Sequence, residues 1–247
     1  MRTMSSAALA FSTSLLAACA VTQQQTASGF HPPPPGYHVI VMQPDVAVGQ
    51  VTAGGVVEQR EDWTNQGRDN VLKALAAQEA AQGAVAKIAT TVEDTGWDPA
   101  AARDLIALHG AVGAAIAAHK YGAFQLPTKK DHFDWTLGEQ AVAFGTATHY
   151  DYALFVHARD SFTSGGRVAV QALGILGCAL TGVCVVGGGG QQIAYASLVD
   201  LKTGNVVWFN VMSSASGDIR TPAGATELVG KLLAGMSTAR AGTQKHS

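Results

Sequence analysis

The residues best suited to acid–base chemistry cluster around one strongly predicted strand. His149 and Asp151 flank the start of that strand, and His157 ends it, with Arg159 and Asp160 directly after it. A histidine close to a carboxylate could move a proton in a hydrolytic or transfer reaction. Polar residues at strand ends usually cap the strand or face solvent. Catalysis at these positions is therefore one hypothesis beside a structural one.

Other signatures of catalysis and cofactor binding are missing from the sequence. The glycine run 187–190 lacks the Lys-Ser/Thr pair that would contact phosphate and metal in a phosphate-binding loop. No Gly-x-Ser-x-Gly motif occurs, and the spacing of the three cysteines fits no zinc site. We therefore predict no cofactor, no metal and, as the main interpretation, no enzymatic activity.

Cys19 follows a segment organised like an export signal. One positive charge near the N-terminus precedes a short apolar stretch and small residues. Residues 16–19, Leu-Ala-Ala-Cys, resemble the lipobox of bacterial lipoproteins, in which the cysteine thiol takes a diacylglycerol. The resemblance implies a signal peptide over residues 1–18 and lipidation of Cys19. Because Ala20 rather than Asp follows the cysteine, it also implies an outer-membrane location facing the periplasm.

A lipidated tether is predicted between the anchor and the folded domain. Residues 19–36 contain the glutamines 23–25 and the prolines 32–35, and prolines favour an extended chain at about 3.1 Å per residue. A single domain is expected over residues 37–240, followed by a disordered tail over residues 241–247.

One long stretch of the chain is uncharged. Residues 168–186 are strongly apolar, and by length alone they qualify as a membrane-spanning helix. Three glycines, Gln171 and Thr181 favour an internal, partly buried segment instead. A hairpin that inserts into a membrane only in an oligomer is the third alternative.

Two cysteines lie in this uncharged stretch. Cys178 and Cys184 are six residues apart, and on a regular helix this spacing points them to different sides. A turn near residues 181–182 would allow a disulfide, which an oxidising compartment permits. A disulfide and two buried thiols therefore both stay open.

The order of predicted elements indicates an α/β (α+β) domain. Strands are predicted over residues 37–43, 85–92, 152–157, 193–201 and 206–212, and a short strand or a hairpin is predicted within residues 46–57. Helices are predicted over residues 63–82, from residue 98 onward, over 131–150 and over 222–236. We expect a mixed β-sheet packed with about four helices, a late β-hairpin and a C-terminal helix.

Three further residues are predicted to have structural roles. Asp200 and Gly204 belong to the turn of the late hairpin, where an aspartate can bond the following backbone. Asp218 precedes the last helix and suits a helix cap.

Composition excludes two broad classes of protein. With 47% hydrophobic and 14% charged residues, the chain has material for a core and too few charges for a disordered protein. A net charge of −2 and the lack of Lys/Arg runs argue against a nucleic-acid partner.

Two segments carry a family resemblance. Residues 196–208, Ala-Ser-Leu-Val-Asp-Leu-Lys-Thr-Gly-Asn-Val-Val-Trp, and residues 151–156, Asp-Tyr-Ala-Leu-Phe-Val, resemble strands of periplasmic lipoproteins with a fold like the TolB N-terminal domain. That group includes the curli-secretion lipoprotein CsgG and lipoproteins that activate penicillin-binding proteins. The resemblance implies binding to protein partners, assembly into envelope machines or a secretion pore.

The main hypothesis is a non-enzymatic lipoprotein that is anchored in the outer membrane by its lipid. It would bind a protein partner or form a homo-oligomer. One alternative is a component of a secretion or pore complex that uses residues 168–190, although these lack the alternation of barrel strands. The other alternative is a periplasmic enzyme of unknown class.

Overall fold

A computed structural model describes residues 21–28, 30, 37–81, 86–121, 125–130, 132–163, 191–214 and 217–241. Within these residues, eight strands form one sheet and four α-helices pack against it. The strands are β1 (Val21–Thr26), β2 (Val39–Val41), β3 (Asp45–Val51), β4 (Val57–Gln59), β5 (Ala86–Ile88), β6 (Tyr152–Thr163), β7 (Gln192–Asp200) and β8 (Val206–Ser214). The helices are α1 (Glu61–Ala81), α2 (Pro99–Tyr121), α3 (Gly138–Thr148) and α4 (Pro222–Ala241).

The sheet is mixed, and β6 is its central strand. The strand order is β1-β8-β7-β6-β2-β5. Because β6 has 12 residues, it can pair with two shorter strands along one side, β2 with its first half and β3 with its second half. β4 extends the sheet beyond β3. The pairs among β2, β3, β5 and β6 are parallel, and β1, β7 and β8 pair antiparallel.

Helices cover both faces of the sheet, and each face has its own apolar core. Side chains alternate along a strand. Leu154, Val156 and Ala158 of β6 therefore join the core under α1 and α4. Ala153 and Phe155 point the other way and join the core under α2 and α3. The result is a three-layer arrangement of helices, sheet and helices.

Local signals define the limits of two helices. α2 begins at Pro99, which needs no N–H partner at a helix start, and the Asp98 carboxylate accepts the Ala101 N–H at 2.8 Å. α3 ends at His149, which adopts a left-handed conformation with φ of 61°. Its N–H bonds to the Gly145 carbonyl at 2.9 Å.

The predicted fold class is confirmed. The mixed sheet, its four helices, the late hairpin and the C-terminal helix are all present. Some predicted boundaries are wrong: the strand expected over 85–92 ends at Ile88, and the helix expected from residue 131 begins at Gly138. The preceding backbone packs instead against the β7–β8 turn, where the Trp135 carbonyl accepts the Val206 N–H and Leu137 donates to Gly204.

The predicted tether also differs from the structure in part. Val21–Thr26, inside the expected tether 19–36, forms β1 and pairs antiparallel with β8 from Ser213 to Trp208. A polar segment can form an edge strand, because an edge strand needs backbone pairing on one side only and one of its faces can stay exposed. The prolines 32–35 follow β1 and therefore do not lie between Cys19 and the sheet.

The sheet has two distinct ends, which we name the lower and the upper end. At the lower end β1 begins at Val21, β6 ends at Thr163, β7 begins at Gln192 and β8 ends at Ser214. At the upper end β6 begins, and the turn after Asp200 joins β7 to β8.

Candidate functional site

The most concentrated group of polar side chains lies between α2 and the middle of the sheet. The parallel pairing of β3 with β6 places Asp45 opposite His157. The Asp45 Oδ2 atom is 2.9 Å from His157 Nδ1 and 2.9 Å from Arg159 Nη2. Arg159 also donates through Nη1 to the Asp45 carbonyl at 2.9 Å. The His157 N–H is not aligned for a hydrogen bond, so its contact with Asp45 is a close polar approach.

Asp45 is held in its ionised form by this arrangement. Burial alone would raise the pKa of its carboxyl group. The contacts with His157 and Arg159 outweigh burial and hold the pKa well below its usual range. The carboxylate therefore fastens β3 to β6 and is a poor proton acceptor at neutral pH.

His109 of α2 reaches into the same layer. Its Nε2 atom is 2.8 Å from the Ser197 hydroxyl oxygen on β7, and its ring stacks on Phe155 at 4.8 Å between centroids. Burial lowers the pKa of His109 to about 3, so the ring is neutral at physiological pH.

Tyr195 completes the layer and brings α2 close to the sheet. Its ring stacks on His157 at 4.4 Å, and its hydroxyl donates to the Gly110 carbonyl of α2 at 2.5 Å. A Cβ at Gly113 would overlap the Tyr195 ring, so the close approach requires glycine there. Burial raises the pKa of Tyr195, which keeps the hydroxyl protonated as a donor.

This polar layer is suited to fastening α2 rather than to turnover. A serine beside a histidine has the composition of a nucleophile and its base. Here, however, Ser197 is 0% exposed and His109 is 1% exposed, so a substrate has no access to them. Within the described ranges, no group of three or more His, Cys, Asp or Glu residues is placed to hold a metal ion.

The acid–base residues predicted from sequence are not brought together. His149 ends α3, and Asp151 accepts the backbone N–H of His38 at 3.0 Å and lies 3.5 Å from the Lys202 ammonium. His157 is six residues further along β6, a separation of about 20 Å in a strand. The hypothesis of one catalytic site formed by His149, Asp151 and His157 is therefore wrong, because His157 contacts Asp45 instead.

Asp200 and Gly204, predicted for the hairpin turn, lie at that turn, whereas at the start of the last helix it is Thr221, not the predicted cap Asp218, whose side chain accepts the Gly224 N–H at 3.1 Å. Asp200 Oδ1 accepts the Lys202 N–H at 2.8 Å, and Gly204 has a positive φ of 73°. Asp218 Oδ1 accepts the Arg220 N–H at 2.9 Å, and its carboxylate also pairs with the Arg220 guanidinium. That bonding forms a turn ahead of α4, which begins at Pro222.

The remaining sequence predictions fall outside the described residues. These are the signal peptide 1–18, Cys19, the stretch 168–190 with Cys178 and Cys184, and the tail beyond residue 241. The secretion or pore alternative, which depends on residues 168–190, therefore stays a prediction.

A second cluster at the lower end combines arginines with aromatic rings. The Arg220 guanidinium lies 4.3 Å from the Trp63 ring and 3.7 Å from the Phe162 ring. Arg60 approaches Trp63 at 4.9 Å, and Trp63 meets Phe162 edge-on at 6.0 Å. Asp218 pairs with Arg220 at 2.8 Å. The cluster covers the rim of the sheet where α1 and α4 begin.

Asp160 lies beside this cluster and is buried. Its Oδ2 atom accepts the Gln192 side-chain N–H at 3.0 Å and the Ile219 backbone N–H at 3.3 Å. Burial raises the pKa of Asp160 to about 6, and these bonds only partly offset the effect. Asp160 therefore joins β6, β7 and the turn before α4.

Sequence reasoning missed most of the polar layer. Asp45 gave no signal because its partner is more than 100 positions away, and parallel pairing is not encoded locally. His109 lies in a helix stripe among apolar residues, which a pattern reads as core. The available clue was the alternation of His157 and Arg159, which places both on one face of β6.

Comparisons with known proteins give weak likenesses. No family model matches the chain, and no curated protein matches it. A PelC dodecamer from Paraburkholderia phytofirmans has a TM-score of 0.37 and 12% identity, covering 87% of this chain and 97% of that one. The LpoB C-terminal domain from Salmonella enterica has a TM-score of 0.27 and 13% identity, covering 76% and 86%. Likenesses this low carry no conclusion about the function of this chain.

Proposed function

We propose that the chain is a lipoprotein of the bacterial outer membrane that faces the periplasm. Acylated Cys19 would be its anchor, and the domain would act through protein contacts, with a partner or with further copies of itself. The lipobox-like sequence at residues 16–19 supports the anchor. The outward face of α2 is the single observation that supports the contacts.

That outward face is unusual for a helix in water. Among the described residues, one helix segment, Pro99–Lys120, is long and apolar enough to cross a membrane by length and composition, and only 28% of its most apolar window is buried. Its inner side packs Leu105 and Ile116 into the core, so α2 is part of the domain. Four alanines share the exposed side and lie at helical spacing, namely Ala107, Ala111, Ala114 and Ala118.

An uncharged, exposed helix surface favours association. Surface helices normally turn charged residues outward, and α2 has no Asp, Glu, Lys or Arg between Asp104 and Lys120. Small side chains also let another backbone approach closely. We therefore place the contact with a partner or a second copy on this alanine face.

A charge on the alanine face tests the contact. Ala111→Glu and Ala118→Glu each put a carboxylate on the face, and Ala76→Glu adds one at an exposed alanine of α1 as the matched control. Crosslinking in intact envelopes and light scattering of the detergent-solubilised protein report the complexes. We expect both α2 variants to lose complexes that the control retains, with circular dichroism unchanged in all three. Complexes retained in every variant would contradict the proposal.

The anchor is tested separately. Mass spectrometry of the protein purified from membranes is expected to show a chain that begins at Cys19 and carries acyl groups. A bare Cys19, or a chain that retains residues 1–18, would contradict the lipoprotein assignment.

A further inference from the structure

β1, the first strand of the described residues, starts at the same end of the sheet as most of the exposed large apolar side chains. Four large hydrophobic residues of the described part are exposed: Val56 at 64%, Val57 at 53%, Leu126 at 45% and Ile193 at 43%. Three of these four lie at the lower end, as strand register shows.

Register locates the three residues. Ile193 pairs with Ser213, which in turn pairs with Val21 at the start of β1. Val57 pairs with Val51, which pairs with Thr163 at the end of β6. Val56 belongs to the turn that precedes Val57. The exposed valines and the exposed isoleucine therefore stand on the rim from which β1 starts.

The lower end also carries the arginine–aromatic cluster. Trp63 and Phe162 are half-buried there, and Arg60 and Arg220 lie over their rings. Tryptophan has an apolar body and a polar N–H, and arginine has an apolar stem and a charged head. Both are therefore suited to the boundary between water and the apolar part of a bilayer.

The distance between the anchor and the sheet is short. Only Ala20 separates Cys19 from Val21, so the two Cα atoms can be at most about 7 Å apart. This step rests on the proposed acylation of Cys19. An acyl chain on that residue enters the bilayer directly, so the start of β1 has to lie at the membrane surface.

We propose that the lower end of the sheet rests on a phospholipid bilayer beside the acyl anchor. Val56, Val57 and Ile193 enter the headgroup region, and Trp63 lies at its boundary.

Among the described residues of the lower end, positive charge does not exceed negative charge. Arg220 pairs with Asp218, and Glu58 and Glu61 are exposed close to Val57. Arg60 lies 3.5 Å from Asp62. Contact with the bilayer is therefore expected to depend on apolar burial and to persist at high salt, since screening weakens only exposed charges.

Bromine quenching tests the orientation in the acylated full-length protein. A fluorescent probe is attached to Val57→Cys, Ile193→Cys or Leu126→Cys in a protein with Cys178→Ser and Cys184→Ser. Vesicles contain phosphatidylethanolamine and phosphatidylglycerol, with or without brominated acyl chains. Leu126 is the matched control, because it is exposed and apolar but is linked to the upper end. Its N–H donates to His119, the His119 ring contacts the Trp135 ring, and the Trp135 carbonyl accepts the Val206 N–H of the β7–β8 turn.

We expect brominated lipid to reduce fluorescence at positions 57 and 193 and not at position 126, in low and high salt alike. Equal fluorescence with and without bromine at positions 57 and 193, in protein shown by mass spectrometry to be acylated, overturns the orientation. A protein partner would then be the occupant of this surface, and the lipoprotein assignment would stand. Absence of acylation would overturn both proposals together.

A second measurement avoids the cysteine substitutions. In protein with its native cysteines, tryptophan fluorescence is expected to be quenched by brominated lipid. The quenched part should disappear in Trp63→Phe and remain in Trp97→Phe, because Trp97 packs on Phe144 of α3 at the other end. Quenching that is the same in both variants would contradict the proposal.

Discussion

The upper and lower ends of the sheet expose different chemistry. At the upper end, Lys202 and His38 are 79% and 67% exposed in their side chains, and Asp151 interacts with both. At the lower end, valine and isoleucine side chains are exposed, and Arg220 is covered by aromatic rings. The lower end therefore differs by exposing large apolar side chains, which the proposed bilayer contact would cover. β6 and β7 run from one end to the other.

The polar layer between α2 and the sheet belongs to neither end. Asp45, His157 and His109 lie near the middle of the sheet, where their partners are protein groups. The polar residues that look most like a site are thus structural, whereas the proposed protein contact lies on the alanine face of α2 and the proposed bilayer contact lies at the lower end. Substitutions at the upper and lower ends test whether the two ends differ as described.

The largest expected effect is at the upper end, in Gly204→Ala. Gly204 has a φ of 73°, and an added Cβ would lie 2.5 Å from the Gly138 carbonyl oxygen. A left-handed conformation and a clash with rigid backbone together cost about 4 kcal/mol of unfolding free energy. Urea unfolding followed by circular dichroism measures the loss.

Gly54→Ala is the matched control in the β3–β4 turn at the lower end. A Cβ there has no neighbour closer than 4.0 Å. We expect its unfolding free energy to stay within about 0.5 kcal/mol of the original. Equal losses at Gly204 and Gly54 would contradict the contrast between a rigid upper turn and an open lower one.

The second effect concerns Asp160 at the lower end. Its pKa is raised to about 6 by burial, so ionisation opposes folding as pH rises from about 3.8 to about 6. Asp160→Asn removes this cost and should increase stability at pH 7 by on the order of 3 kcal/mol, with little change near pH 4. Urea unfolding at the two pH values measures the difference.

Asp218 lies in the same region, and replacing it is expected to change the stability at pH 7 in the opposite direction. Its pKa is lowered, first by its bond to Arg220, so its contribution to stability is present at neutral pH and lost as pH falls below the usual aspartate range. Asp218→Asn should therefore reduce stability at pH 7. A stability increase in both asparagine variants would contradict these assignments.

A smaller effect is expected for Arg220→Met. The methionine keeps the apolar stem but loses the contacts of the guanidinium with the rings of Trp63 and Phe162 and with Asp218. Partly buried contacts of this kind contribute about 1–2 kcal/mol. Arg68→Met is the control, because Arg68 bonds only an exposed Asn65 side chain at 3.0 Å among the contacts described. Thermal unfolding that is equally affected in both variants would argue against the cluster.

The smallest effect is expected for Lys202→Met at the upper end. Its ammonium lies 3.5 Å from Asp151 in an exposed pair. Exposed pairs contribute about 0–1 kcal/mol and are screened by salt. We expect a change in unfolding free energy below about 0.5 kcal/mol at physiological salt. A loss above about 2 kcal/mol would mean that the upper end is more tightly organised than its exposure indicates.

The sequence predicted elements with strong local patterns and missed those that depend on distant partners. The late hairpin and α4 were recoverable because alternation, turn residues and a proline at the helix start all lie within short windows. β1 was missed because glutamine-rich sequence has low strand propensity, and only its pairing with β8 forms the strand. The start of α3 was misplaced because residues before Gly138 bond to the distant β7–β8 turn.

The polar layer and the lower end were likewise predictable from the sequence only where the signal is local. His157 was visible as a polar residue in a strand, but its partner Asp45 depends on parallel pairing across the sheet. The lower end could not be anticipated, since Val57, Ile193 and Trp63 are far apart in sequence and are united only by register and packing.

Spin labels placed singly, at position 57 or at position 202 of the acylated protein in vesicles, test the central claim most directly. Power saturation compares collision with oxygen, which concentrates in lipid, against collision with a water-soluble nickel chelate. The account predicts oxygen-dominated relaxation at 57 and nickel-dominated relaxation at 202. Nickel-dominated relaxation at both positions would contradict a lower end that rests on the bilayer.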